Sequence, residues 1–314
     1  MKEYIIGKNE AGQRFDKYIF KLLKNAGTGL IFKQLRNKNI VLNGKKAKGN
    51  EILKENDSVR IFMSDDTINK FTGGPLHISK TGFRLDVIYE DDDILLASKP
   101  VGVLSQKSSD KDISMNEYLI EYLTDNGFGK ENLATFKPSF CNRLDRNTSG
   151  LMIAGKSLRG LQKMSEIIKD RSIHKFYLTI VKGIIDKKSA INGYLRKDEK
   201  NNKVVIYDNP VKDSYEIHTE YEPLATKDDM TLLKVRLITG KTHQIRAHLA
   251  GISHPVLGDF KYGDKVFNEK YGEKKQLLHS YQVVFPKLDD FPDISEKSFN
   301  TPYPVNFTKY FKEN

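Results

Sequence analysis

The stretch Asn142-Arg143-Leu144-Asp145-Arg146-Asn147-Thr148-Ser149-Gly150-Leu151 is the most informative part of this chain. It places one carboxylate, Asp145, between two arginines and directly before the turn-forming residues Thr148-Ser149-Gly150. Nearby positive charge and turn donors both favour the anion, so Asp145 should stay ionised and suits nucleophilic work better than acid work. A surface ion pair at the end of a strand is the alternative interpretation of the same residues.

The length and net charge of the whole chain limit the number of domains and the kind of partner. The chain has 314 residues, enough for about two domains with real cores, and a formal net charge of +11. Such a balance indicates a polyanionic partner, with nucleic acid ahead of an anionic membrane. No segment resembles a membrane span, and residues 1–7 are no signal peptide. The single cysteine, Cys141, excludes an intrachain disulfide and fits a reducing cytoplasm.

The positive charge is concentrated near the N-terminus. Residues 17–50 contain nine basic and no acidic side chains. The spacing predicts an amphipathic helix over 14–25, a second short helix near 31–35, a strand at 40–42, a tight turn at Asn43-Gly44 and a strand at 58–62. An acid-free run over a helix, a turn and a hairpin indicates an RNA-facing surface more than a merely solvated one. The candidate RNA-contacting residues are Lys33, Arg36, Lys38, Lys45, Lys46 and Lys48.

The rest of the chain reads as a polar linker followed by strands and helices. Residues 64–83, with Gly73-Gly74-Pro75, have the composition of a linker. Strands are predicted at 85–89, 94–98, 175–182 and 231–238. A capping box at Ser114-Met115-Asn116-Glu117 and a cap at Ser157 predict two helices.

Several familiar motifs, in the second informative block (residues 237–249) and elsewhere in the chain, fail on spacing. Gly240-Lys241-Thr242 is no phosphate-binding loop because Val235 stands where that motif needs a glycine. Ser149 is no nucleophile elbow because Asn147 stands where a glycine is required. The histidines at 243, 248 and 254 do not share a helical face, so no metal site is predicted.

What remains at this block is a strand, a glycine turn and a helix starting near Thr242, with Arg246 in its first turns. A helix start with basic residues attracts phosphate or a carboxylate. Arg246 could therefore pair bidentately with Asp145 and hold it oriented, although an ordinary surface arginine fits the same pattern.

Several separated motifs, in order, together resemble the RluA/RluC/RluD-type pseudouridine synthases. The match covers residues about 12–286, and the N-terminal part resembles the small alpha-L RNA-binding domain named after ribosomal protein S-four. The catalytic-domain motifs are Lys99-Pro100-Val101-Gly102, Asn142-Arg143-Leu144-Asp145, Lys175-Phe176-Tyr177, the block from Gly240 to Asp259, and Leu277-Leu278-His279-Ser280. The N-terminal motifs begin Arg14-Phe15-Asp16, Ile40-Val41-Leu42 and Asn56-Asp57-Ser58.

The resemblance implies an α+β protein in three parts. Residues 1–66 would form a small basic α/β RNA-binding domain and residues 67–84 a linker. Residues 85–314 would form the catalytic domain, a mixed and mostly antiparallel β-sheet with flanking helices and a central cleft. The implied enzyme is a cytoplasmic, monomeric isomerase that converts uridine in RNA to pseudouridine, with large-subunit ribosomal RNA as the expected substrate.

The resemblance also implies a role for each site residue. Asp145 would be the nucleophile, Arg246 would stabilise its carboxylate, and Tyr177 would stack on the flipped base. Tyr177 is also a candidate to assist loss of the proton from carbon 5. Arg143 would fill the space that the base leaves, and Lys241 and His243 would contact the RNA backbone. The isomerisation needs no metal, no nucleotide and no other cofactor.

Two positions depart from the family pattern, and two other functions stay open. Asn142 stands where the family usually has histidine and cannot titrate. Lys241 stands where it has arginine and loses bidentate geometry. The alternatives are a synthase acting on transfer RNA and a non-catalytic RNA-binding or ribosome-assembly protein on the same fold. A hydrolase or nuclease would need a second carboxylate or a metal set near Asp145, which the sequence lacks.

Overall fold

Two β-sheets organise the computed structural model, which describes residues 1–73, 80–129 and 132–312. The elements of the N-terminal unit are β1 (Lys2–Ile5), α1 (Phe15–Leu22), α2 (Thr28–Arg36), β2 (Ile40–Leu42), β3 (Lys45–Lys46), β4 (Ser58–Ile61) and α3 (Asp65–Thr72). Its four strands form the smaller sheet, which is antiparallel and has the order β1-β4-β2-β3.

The N-terminal elements form where the hydrophobic spacing predicts them. Phe15 and Ile19 of α1 are fully buried in the core of this unit. The helix ends at Leu22, three residues earlier than predicted, because the backbone N–H of Asn25 donates to the Phe71 carbonyl of α3 instead. The hairpin at Asn43-Gly44 is confirmed, with φ of 49° and 72° at its two central positions.

Helix α3 lies where the sequence predicts the start of a linker. The Ser64 hydroxyl caps it by accepting from the Thr67 backbone N–H at 3.3 Å, and Ile68 is buried in the N-terminal core. A cap and one well-placed apolar residue suffice here because an adjacent core stabilises the short helix. Gly74 and Pro75 of the predicted linker lie outside the described residues, and residues 80–85 have no regular secondary structure.

The larger sheet has eleven strands and is mostly antiparallel, as expected. Its main path runs β11-β10-β12-β13-β9-β14-β8-β6-β5, with β15 beside β14 and β7 beside β8. The elements are β5 (Asp86–Glu90), β6 (Ile94–Lys99), α4 (Met115–Asp125), β7 (Ser139–Phe140), β8 (Ser149–Gly155), α5 (Leu158–Lys169), β9 (His174–Lys182), β10 (Ser189–Asp198), β11 (Lys203–Tyr207), β12 (Tyr215–Lys227), β13 (Met230–Leu237), α6 (Gln244–Gly251), α7 (Lys265–Tyr271), β14 (Leu278–Val284) and β15 (Ser298–Asn300), with short 3-10 turns at Asn132–Ala134 and Val305–Phe307.

The predicted caps of the flanking helices are confirmed. Ser114 and Glu117 form the capping box of α4, and the Ser157 hydroxyl accepts from the Gly160 backbone N–H at 2.9 Å at the start of α5. The N-terminal unit meets the larger one at the same helix, since the Asn9 side-chain oxygen accepts from the Leu158 backbone N–H at 2.9 Å. No helix in the described residues is long and apolar enough to cross a bilayer.

A parallel pairing at the centre of the large sheet joins β8 to β14. It sets Ser149 opposite His279 and Gly150 opposite Ser280. Gly150 has φ of 104°, and a Cβ added there would lie 2.1 Å from the Ser280 carbonyl oxygen, so only glycine fits. The turn predicted at Thr148-Ser149-Gly150 is wrong, because Ser149 and Gly150 already belong to β8. The turn lies earlier, at residues 146–147.

Candidate active site

Asp145 lies on the loop between β7 and β8, and hydrogen bonds from the segment after β6 fix that loop. The Leu144 backbone N–H donates to the Ser105 hydroxyl oxygen at 2.9 Å, and that hydroxyl donates to the Leu144 carbonyl at 2.8 Å. The Thr148 N–H closes a turn on the Asp145 carbonyl at 3.0 Å. Asp145 thus sits on a backbone that is held on both sides.

A fully buried lysine supports the same loop from below. Lys99 Nζ donates to the carbonyls of Pro100, Val103 and Arg146 at 3.0, 2.7 and 2.9 Å. Burial lowers the pKa of Lys99 to about 7, whereas the negative charge of Asp145 acts to raise it. The ammonium form has three N–H groups, one for each of the three carbonyls. Lys99 therefore links the segment after β6 to the loop that carries Asp145.

Arg246 reaches Asp145 from the first turn of α6. Its Nη1 donates to Asp145 Oδ2 at 2.7 Å, whereas Nε and Nη2 donate to the two carboxylate oxygens of Asp259 at 2.7 and 2.8 Å. The predicted contact between Arg246 and Asp145 exists. The prediction that it is bidentate is wrong, because Asp259 occupies the forked edge of the guanidinium.

Charge balance explains how this buried arginine is tolerated. Burial alone would lower the pKa of Arg246, but the hydrogen bonds and charge of Asp259, with the charge of Asp145, raise it above its ordinary value. Burial alone would raise the pKa of Asp259, but Arg246 lowers it. Asp259 is therefore the buried counter-charge, and Arg246 has one nitrogen left to orient Asp145.

His243 forms the inner wall beside the carboxylate. It has φ of 55° directly before α6, and its Nδ1 lies 2.9 Å from the Tyr262 hydroxyl. Its Nε2 is 4.0 Å from Asp145 Oδ2. Burial lowers the pKa of His243 and raises the pKa of Tyr262. The ring is thus held largely away from solvent, next to Asp145.

Tyr177 enters the same site from the middle of β9. Its neighbours across the sheet are Val235 of β13 and Ser280 of β14. Burial raises the pKa of Tyr177 to about 12, against a hydrogen bond with Ser280, and the charge of Asp145 adds to the rise. The hydroxyl is therefore protonated at neutral pH.

The two family departures occupy different surroundings. Asn142 Oδ1 accepts from the Ile153 backbone N–H at 2.8 Å, so this amide links the loop to β8. Lys241 Nζ lies 3.9 Å from the centre of the Tyr215 ring, a cation–π contact that one ammonium makes without a fork. Both positions have structural contacts that their present residue types satisfy.

These side chains line one cleft of about 960 Å³. The cleft brings together six of the predicted site residues: Arg143, Asp145, Tyr177, Lys241, His243 and Arg246. The six basic residues predicted in the N-terminal unit do not line it. They are exposed on α2, on the loops and on β3, and none forms an ion pair with a carboxylate in the described parts of the chain.

Three residues that the sequence analysis gave no role hold the site together: Asp259, Lys99 and Ser105. Asp259 follows a glycine in the arginine block, and a lone acid there could have been matched with Arg246 on charge alone. Lys99 has no acidic neighbour in sequence to suggest a partner, since it binds only carbonyls. Ser105 carries no pattern that distinguishes it from a surface serine.

Comparison with known proteins adds the family. Residues 93–251 match the RNA pseudouridylate synthase family. Over 304 residues the chain is 31% identical to an uncharacterized RNA pseudouridine synthase of Mycoplasma genitalium, covering 94% of this chain and 93% of that relative. Over 295 residues it is 28% identical to the ribosomal large subunit pseudouridine synthase C of Pasteurella multocida, covering 91% and 86%.

A solved structure shows the same fold. The human RNA pseudouridylate synthase domain containing 4 protein superposes with a TM-score of 0.58 at 20% identity, covering 71% of this chain and 90% of that one. The chain belongs to the RNA pseudouridylate synthase family and to its RluA type, as its motifs predicted. It is an isomerase that acts on RNA.

Proposed function

We propose that this enzyme converts specific uridines of large-subunit ribosomal RNA to pseudouridine, with Asp145 as the nucleophile. The observation that carries this proposal is the Asp145 carboxylate itself. One oxygen is held by buried Arg246 at 2.7 Å, while the other receives no hydrogen bond from the described residues, and Asp145 lines the cleft. The substrate class rests on the relative named as a large-subunit synthase.

The chemistry needs one anion that is fixed but reactive. The bond between C1′ of the ribose and N1 of the base breaks, and a bond between C1′ and C5 forms. C5 loses its hydrogen as a proton, and N1 ends with one proton more, so no electrons are gained or lost. Asp145 either adds to C1′ or removes the C2′ proton to give a glycal, and the same oriented carboxylate serves both routes.

Tyr177 and Arg143 complete the handling of the base in this proposal. The target uridine must leave its stack to reach a buried carboxylate. Tyr177 stacks on it as a neutral ring, since burial raises the pKa of Tyr177 to about 12. Arg143 is exposed at the cleft and fills the space that the base leaves. Lys241 and His243, which line the same cleft, contact the RNA backbone.

The N-terminal unit serves as a separate anchor for the RNA. Its exposed candidates on α2 and β3 have no carboxylate partner within the described residues, which leaves their charge available to phosphates. Lysines on an edge strand such as β3 also discourage pairing with other chains, so an RNA role requires a direct test. We further propose that the boundary between domains falls in the part of the predicted linker that follows α3, after Thr72, and that the enzyme works as a cytoplasmic monomer.

Tritium release from RNA labelled at uridine C5 tests the reaction. Unmodified large-subunit ribosomal RNA and transfer RNA would be compared, with the Asp145→Asn protein alongside. We expect release by the wild type on ribosomal RNA and none by the variant. Tritium release from transfer RNA alone would show that transfer RNA, and not ribosomal RNA, is the substrate. Release by Asp145→Asn at the wild-type rate would exclude Asp145 as the nucleophile.

A charge-removal series tests the anchor. Changing Lys45, Lys46 and Lys48 to Gln should weaken binding and reduce the slope of log Kd against log salt by about two to three, since each phosphate contact contributes about 0.9. The control is Lys265→Gln, an exposed lysine on α7. An unchanged slope would refute the anchor while leaving the reaction untouched.

A further inference from the structure

Phe260 is an exposed aromatic ring at the mouth of the cleft. Its relative exposure is 67%, and it lines the same cleft as Asp145. Single exposed hydrophobic residues are common on protein surfaces, so exposure by itself says little. The surroundings of Phe260 distinguish it from the other exposed apolar residues.

The backbone that carries Phe260 is held rigidly on both sides. Asp259 Oδ1 accepts from the backbone N–H groups of Lys261 and Tyr262 at 2.8 and 3.1 Å, which forms a tight turn around Phe260. The buried Asn268 accepts from the Gly258 N–H at 2.7 Å and donates to the Asp259 carbonyl at 3.1 Å. The ring is therefore presented to solvent by a fixed turn and not by a loose loop.

The same turn connects Phe260 to the reacting centre. Asp259 accepts hydrogen bonds from Arg246, and the Tyr262 hydroxyl contacts His243. The position of the ring is thus coupled to the groups that orient and flank Asp145. Within the described residues, no hydrogen bond or ring contact joins Phe260 to the Asp145 carboxylate or to the Arg246 guanidinium.

Positive charge lies beside the ring. Lys261 follows it directly, and its Nζ donates to the Asn202 carbonyl at 2.5 Å, near the tip of the β10–β11 hairpin. Lys203 lies with its Nζ 6.0 Å from the centre of the Tyr262 ring. Neither lysine has a carboxylate within 4.0 Å in the described parts of the chain. An exposed aromatic ring beside lysines that lack a carboxylate partner is the arrangement that binds unstacked nucleotides.

We propose that Phe260 stacks on an unpaired base of the RNA next to the target uridine, while Lys203 and Lys261 bind the adjoining phosphates. A fixed aromatic platform loses little conformational entropy on binding, so its whole contribution can appear as affinity. The inference rests on the proposed function, because it requires a uridine flipped toward Asp145. It adds a positioning residue that holds the strand beside the flipped base.

A substitution series distinguishes stacking from general apolar covering. Phe260→Ala, Phe260→Leu and Phe260→Tyr would be assayed by tritium release on C5-labelled, unmodified large-subunit ribosomal RNA. We expect Ala and Leu to raise KM at least about fivefold with kcat nearly unchanged, because base–aromatic stacking acts on binding. Tyr should retain the wild-type KM. Val266→Ala is the control, since Val266 is 77% exposed nearby on α7 and does not line the cleft.

Binding measured without turnover separates this inference from the proposed reaction. Each Phe260 substitution would be combined with Asp145→Asn, and Kd for the same RNA measured at several salt concentrations. Ala should raise Kd at least about fivefold without changing the salt slope, because stacking releases no counterions. Lys261→Gln should reduce that slope. An Ala variant that binds like its parent, or a Leu variant that matches Tyr, would overturn the proposal even if tritium release succeeds.

Discussion

The pair between Arg246 and Asp259 should decide both stability and turnover, and Asp259→Asn tests it. The Asp259 carboxylate accepts from Arg246 Nε and Nη2 and from the backbone N–H groups of Lys261 and Tyr262. An amide keeps the shape but has one acceptor oxygen. Its NH₂ group would face either a guanidinium N–H or the two backbone donors.

The expected loss is large because neither partner is exposed. The side chain of Arg246 is 7% exposed and that of Asp259 is 0% exposed. Removing one partner of a buried pair destabilises a protein by about 3–5 kcal/mol, and the remaining contact of Arg246 with Asp145 should place this variant toward the lower end. Arg246 should then be reoriented, so that Nη1 no longer holds Asp145. We therefore expect kcat to fall by at least about tenfold, with a smaller change in KM, because Arg246 orients the carboxylate that reacts in the proposed mechanism.

Urea unfolding and tritium release measure the two effects on the same protein. Asp125→Asn is the matched control, because Asp125 pairs at 2.9 Å with the exposed Lys80 and neither residue lines the cleft. That variant should behave like the wild type in both assays. If Asp259→Asn keeps the wild-type midpoint in urea and the wild-type kcat, then Asp259 does not hold Arg246 in place and the reasoning fails.

Two further predictions follow from the β8–β14 junction. Gly150→Ala should lower the free energy of unfolding by more than about 2 kcal/mol in urea, because its Cβ would lie 2.1 Å from the Ser280 carbonyl at a φ of 104°; an equally stable variant would contradict this packing. Burial lowers the pKa of His279 from 6.5 to about 4. As the pH falls from 6.5 to 4, His279 therefore binds a proton in the unfolded chain but stays neutral in the folded one. Stability should therefore fall by about 3 kcal/mol as pH drops from 6.5 to 4, and His279→Asn should flatten that slope in urea titrations at successive pH values. A slope equal to the wild type would exclude His279 as its source.

Sequence patterns predicted the elements that depend on local spacing. The strands at 175–182 and 231–238 agree with β9 and β13 to within one residue, because continuous apolar runs leave few alternatives. The Ser114 capping box and the Asn43-Gly44 turn agree as well, since each depends on a few adjacent residues. Helix α3 was missed because its stabilisation comes from a core that only the folded unit provides.

The site shows the same division between local and long-range information. The charge pattern allowed a contact between Arg246 and Asp145 but also allowed a surface arginine, and only the family resemblance implied the contact. The structure places the two side chains 2.7 Å apart. The bidentate partner was assigned wrongly because Asp259 lies in an irregular turn whose position no periodicity reveals. Lys99 was missed because its partners are carbonyl oxygens, which every residue carries and no sequence pattern marks.

The parallel β8–β14 pairing also orders events while the protein is being made. Ser149 follows Asp145 by four residues, yet it hydrogen-bonds His279 across 130 positions of the chain. A growing polypeptide can carry Asp145, Tyr177 and Arg246 before it has the strand that fixes the end of the loop containing Asp145. The N-terminal unit, by contrast, pairs its strands within the first 61 residues. The nascent chain therefore completes its basic N-terminal sheet before the strand pairing that ends the Asp145 loop. Under the proposed anchor function, an unfinished copy would bind RNA before it could modify it.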